Sequence, residues 1–194
     1  MNKALLILLP LVAVLSLVGL YVALSHDPDA GLLRYEDFGG DFSLTDQRGE
    51  PFTLSETDGK VRLLFFGFTH CPDICPTTLA ELNQALGLLG SKGEEVEILF
   101  VSVDPERDTP ERLEPYLAAF SLPVTGLTGT PEEVAAVAEA YGAHYDRVDL
   151  DSALGYTMDH STYLYLLDRE GVVRYLFRYE DPPERVAEVV RKLL

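Results

Sequence analysis

Cysteine is nearly missing from this 194-residue chain, which has only Cys71 and Cys75, and tryptophan is absent altogether. Two thiols cannot staple a domain. The one bridge they allow closes a five-residue loop and would restrain the unfolded chain by only about 2 kcal/mol. Positive charge is scarce too: 15 Lys and Arg stand against 32 Asp and Glu, a net charge of −17. That balance argues against nucleic acid as a partner and fits either a solvated surface or one that steers toward a basic partner or a cation. Asn, Gln and Met occur twice each, and Arg outnumbers Lys eleven to four, a pattern reported for proteins from hot environments. Low-complexity tracts and internal repeats are absent.

What is present begins with a long apolar run. Ala4 to Leu24 is 21 residues without a charge, about 31 Å as a helix and so the thickness of a bilayer core. Residues 1–25 are therefore expected to anchor the chain. Lys3 before the run and Asp27 and Asp29 after it place the rest of the chain on the extracytoplasmic (periplasmic) side of the cell membrane, in a single pass. A cleaved signal peptide is the alternative, since Ala23-Leu24-Ser25 is a small-x-small triplet, but such segments have apolar stretches of about 7–15 residues. No cysteine near the end of the run offers a lipid attachment point. Residues 26–34 read as a short polar linker, and residues 35–194, roughly 160 in number, are enough for one well-formed core.

The pattern along that domain is α/β. Phe42–Leu54 alternates about a turn at Asp46–Gly49 and predicts a small hairpin. Val61–Phe68 is a continuous apolar run, as a strand covered on both faces should be. Leu79, Leu82, Leu86 and Leu89 predict a helix over Pro76–Leu89, and Gly90 ends it. Glu97–Val103 is a second buried strand; Pro110 opens a helix through Phe120, and Pro131 another through Tyr141. Thr162–Tyr179 reads as two strands joined at Asp168–Gly171, followed by a closing helix with Pro183 near its first turn. Strands alternating with helices, then a terminal hairpin and helix, predict a mixed central sheet flanked by helices.

Both cysteines lie in "GFTHCPDICPTTL", Gly67 to Leu79, between the first buried strand and the first helix. A helix start favours thiolate over thiol, so two close, acidified thiolates are expected there. Such a pair either exchanges with disulfides or holds a soft metal ion, and the spacing does not choose between them. A third residue does. In a thioredoxin-like sheet the strand beginning near Ser161 starts beside the cysteine loop. Ser161 stands where thioredoxins carry proline, and His160 precedes it, so its imidazole is expected to face the two sulfurs. Two thiolates and an imidazole suit Cu(I), or Cu(II) with an added ligand, whereas zinc would want a fourth protein ligand that is not evident. His70 is expected to point away from its neighbour Cys71, and Met158 to serve core or surface. Asp159 either orients His160 or points apart from it. Asp104 either faces the cysteine loop or, with Asp108, caps the following helix, the ordinary role of such residues. A peroxidase site is disfavoured because the loop holds no activating arginine.

Three segments in order, "FFGFTHCPDICPTTL", "VSVDPERDTPERL" and "YTMDHS", resemble the Sco (SenC-type) copper-binding proteins needed for cytochrome c oxidase assembly. The resemblance implies a thioredoxin fold with an inserted hairpin, an N-terminal membrane anchor and copper held by Cys71, Cys75 and His160. It also implies a physiological role in preparing the dinuclear copper site of oxidase subunit II. As a metallochaperone the chain would donate copper; as a thiol-disulfide oxidoreductase it would reduce that site's cysteines with the redox pair Cys71 and Cys75.

Overall fold

The computed structural model describes residues 31–194 apart from 58 and 152–154. The predicted anchor and most of the linker lie outside the described residues, among which no helix is long and apolar enough to cross a membrane. The compact unit begins at Leu32. Leu32 packs against the core, and Arg34 pairs with Glu170 at 3.0 Å, so the end of the predicted linker is already part of the folded body.

Ten strands form among the described residues. β1 (Tyr35–Gly39), β2 (Ser43–Asp46), β3 (Pro51–Thr53), β4 (Val61–Gly67), β5 (Val96–Ser102), β6 (Val124–Thr128), β9 (Leu164–Leu167) and β10 (Val172–Phe177) make one sheet in the order β1-β10-β9-β4-β5-β6-β2-β3. The centre is parallel, with β4 against β5 and β5 against β6, while β9 runs antiparallel to β4. This is the mixed sheet of a thioredoxin-like α/β fold. Every residue of β4 is buried, as an apolar run broken only by Arg62 requires of a strand covered on both faces. The predicted hairpin is β2–β3.

The helices are α1 (Ile74–Leu89), α2 (Pro110–Ala118), α3 (Pro131–Ala140) and α4 (Pro183–Val190). Three of them open on proline, whose fixed φ and missing N–H suit a first turn. At α3 a reciprocal capping box between Thr130 and Glu133 fixes the start further. α1 packs on α4, and α2 leans against β6, where Leu117 fills the space that a side chain at Gly126 would need.

A separate two-stranded sheet, β7 (Tyr145–Asp149) with β8 (Tyr156–His160), stands outside the main one. His160 ends β8. It is thus the last residue of an inserted hairpin, four positions before β9 begins, rather than the residue immediately ahead of a main-sheet strand.

Candidate metal centre

The end of β4, the loop to α1 and the end of β8 converge on one spot. Cys75 is buried within the first turn of α1, and Cys71 is half-buried in the loop before it. Helix starts leave N–H groups without partners, and the Asp73 side chain at the cap supplies none. Instead the Cys75 amide donates to Cys71 Sγ at 3.4 Å, so the first sulfur caps the helix that carries the second. Gly67 makes room for this: a Cβ there would sit 2.8 Å from Cys75 Sγ and 2.8 Å from the Phe100 ring.

His160 Nε2 lies 3.7 Å from Cys75 Sγ. Its Nδ1 is 2.9 Å from the Ser161 carbonyl, which can only accept, so Nδ1 carries a proton and the neutral ring keeps its Nε2 lone pair for the sulfurs. Phe68 meets the imidazole edge-on at a 5.7 Å centroid distance and holds its plane. One donor atom each from Cys71, Cys75 and His160 lies within 4.8 Å of the other two.

The two thiols are not equally acidified, contrary to the sequence expectation. The hydrogen bond from Cys75, set against burial and aided by His160, holds Cys71 far below the usual thiol range. Cys75 is pushed up by the same hydrogen bond and then by burial and the Cys71 charge. Two sulfurs in contact cannot both ionise, and the wetter one takes the charge. Burial disfavours a charged His160, yet its bonds with Cys71 and the Ser161 carbonyl outweigh that and raise it.

Other expected residues fall elsewhere. His70 turns away, with Nδ1 3.2 Å from Thr69 Oγ1 and Nε2 3.5 Å from Arg112. Asp159 is exposed, and the Ser161 carbonyl, not its carboxylate, orients His160 through Nδ1. Asp104 and Asp108 do not cap α2: Thr109 is its cap residue, and the Thr109 side chain makes no cap hydrogen bond. Asp108 accepts from the Thr69 amide at 2.9 Å, the Thr69 hydroxyl at 2.6 Å and the Ser102 hydroxyl at 2.7 Å, fastening the cysteine loop to the end of β5. Burial raises this carboxyl, against those hydrogen bonds. Asp104 accepts from the Tyr156 hydroxyl at 2.8 Å and pairs with Arg107, which donates to the Tyr156 carbonyl at 3.0 Å. The guanidinium carbons of Arg107 and Arg147 lie 3.6 and 3.8 Å from the Tyr156 ring centroid. His70, Asp104 and Asp108 also bring ligand atoms together, but both carboxylates are committed to these bonds. Gly67 and the Tyr156 clasp were not anticipated; a glycine just before the cysteine loop was the signal for the first.

Residues 31–194 match the model of the SCO1/SenC family. The chain belongs to that family. It is 37% identical over 181 residues to an SCO2-like protein of Rickettsia felis, covering 89% of this chain and 88% of that one. The solved structure of Bradyrhizobium japonicum ScoI with copper bound is similar with a TM-score of 0.74 and 41% identity, over 81% of this chain and 99% of that one. BsSco, described as carrying a disulfide switch and as a member of the Sco family of cytochrome c oxidase assembly proteins, matches with a TM-score of 0.64 and 26% identity, over 84% and 95% of the two chains.

Proposed function

We propose that this Sco-family chain is a copper metallochaperone that holds copper through Cys71, Cys75 and His160 and prepares the dinuclear copper site of cytochrome c oxidase subunit II. The observation that carries this reading is the convergence of an available Nε2 lone pair with two sulfurs. Soft thiolates with one imidazole match Cu(I), and among the described residues no further His, Cys, Asp or Glu joins the set to make a closed zinc site. Relatives bound to copper and an oxidase-assembly relative support it. The 21-residue apolar run would tether the domain to the cell membrane on the periplasmic side.

A second reading rests on the asymmetry of the thiols. The Cys71 thiolate would attack a disulfide in subunit II, forming a mixed disulfide and releasing one target thiolate. Cys75, giving up its proton to that leaving group, would then attack Cys71 Sγ and release the second target sulfur as a thiolate, leaving a Cys71–Cys75 disulfide and a reduced target with one thiol and one thiolate. Copper then has thiolates to bind on the target.

Anaerobic titration of the full-length chain with Cu(I) tests the first reading. One equivalent should bind to the reduced chain and none at this site after oxidation, because a disulfide removes both thiolate donors. His160→Ala should weaken copper binding and spare reduction of an oxidised subunit II copper domain. Equal copper stoichiometry in both redox states would refute the assignment.

A further inference from the structure

Two clefts lead toward the sulfurs, and they differ greatly in size. The one that touches Cys75, walled by Phe65, Ile74, Thr78 and His160, has a volume of about 10 Å³, at the lower limit for one water. The other, lined by Phe68, Cys71, Pro72, Met158 and His160 among others, has about 230 Å³ and does not reach Cys75. An ion arriving from solvent through the larger opening therefore meets Cys71 and His160 before Cys75, which is only 1% exposed.

A third soft donor stands in the same wall. Met158 is two residues before His160 on β8, so the two side chains emerge on one face of the strand. It is half-buried, packs against the core, and separates the copper-side cleft from a neighbouring one of about 140 Å³. The chain has only two methionines, the other being Met1. A thioether is neutral, needs no deprotonation and is a soft ligand that favours Cu(I).

We propose that Met158 completes an outer Cu(I) position with Cys71 and His160 at the mouth of the larger cleft, through which the ion passes inward to Cys75 and outward to a partner. Passage exchanges one sulfur donor, Met158, for another, Cys75, whose thiol releases its proton to water as it binds, while Cys71 and His160 stay attached. Copper remains Cu(I) throughout. The inference rests on the copper reading of Cys71 and His160.

The test uses the reduced full-length chain with Cys75→Ser, which removes the inner donor, alone and combined with Met158→Leu, which keeps the side-chain volume but removes the sulfur. Copper K-edge absorption should find two sulfurs and one nitrogen around Cu(I) in Cys75→Ser and one sulfur fewer in the double variant. Competition with a colorimetric Cu(I) chelator should show the double variant about tenfold weaker. Equal affinity and equal sulfur count in the two variants would overturn the outer position and leave the copper site intact. Failure of the unsubstituted chain to take up Cu(I) would instead overturn the reading on which both rest.

Discussion

Cys71 and Cys75 share a loop and a chemistry, and what separates them is water. Cys71 keeps contact with solvent, accepts the Cys75 amide and is held low chiefly by the Cys75 thiol, then by His160. It should therefore remain a thiolate at pH values where an ordinary thiol, with a pKa of about 8.5, is protonated. Alkylation of reduced Cys71 by iodoacetamide, followed by mass spectrometry of the labelled peptide, should change little between about pH 8 and about pH 6. An unperturbed thiol would slow by roughly 80-fold over that interval. Cys75→Ala should raise the midpoint more than His160→Ala does, because the Cys75 hydrogen bond is the larger cause. The sign for stability follows: a folded-state pKa below the unfolded value stabilises the fold above the unfolded pKa, and that contribution disappears as pH falls through the folded one. An ordinary thiol profile at Cys71 would remove the basis for treating it as the attacking sulfur.

The β7–β8 hairpin brings the imidazole to the sulfurs, and it is fastened at both ends. Near His160, the Ser161 amide donates to the His144 carbonyl at 2.8 Å, and the Ser161 hydroxyl accepts from the His144 amide at 2.9 Å. At the other end, the Tyr156 ring sits between two guanidinium groups while its hydroxyl reaches Asp104. Each stacked cation contributes about 0.5–2 kcal/mol, more than an exposed ion pair supplies. Tyr156→Ala should loosen the strand that carries His160 and weaken Cu(I) affinity by about tenfold, the equivalent of about 1.4 kcal/mol. Tyr156→Phe, which keeps the stack and loses only the hydroxyl, should recover most of it. Both variants should react with a small disulfide at the unsubstituted rate, since the cysteines lie on other elements. Unchanged copper affinity in Tyr156→Ala would show that the clasp does not position the imidazole.

At the scale of the whole molecule, the sequence was most legible where periodicity is strongest. The leucines of α1 and the proline-started helices stand out because burial on a fixed period leaves few alternatives, and Val61–Phe68 because an apolar run broken only by Arg62 reads as a strand covered on both faces. Tyr145–Asp149 escaped for the opposite reason: as YDRVD, mostly exposed, it carries no apolar alternation to betray a strand. Asp108 escaped because an aspartate beside a helix start reads as a cap, and only the tertiary fold reveals that it holds Thr69. Cys71, Cys75 and His160 could be singled out because their chemistry is rare in this composition. The same separateness of β7–β8 gives the molecule two layers of cooperativity. The seven residue pairs of β4 and β5 lie at the sheet's centre, where backbone amides open only with global unfolding, whereas the small outer hairpin can open alone. A ligand that binds only the closed arrangement adds RT ln(1 + [L]/Kd) to the free energy of that local opening. Amide hydrogen exchange in Tyr156–His160 should therefore slow sharply when Cu(I) is added, while exchange in β4 and β5 hardly changes. Slowing confined to the first turn of α1 would mean the hairpin takes no part. If the slowing reaches β8, the hairpin works as an occupancy gauge: its local lifetime records whether the chain is loaded, and a partner that senses hairpin opening could tell a full carrier from an empty one.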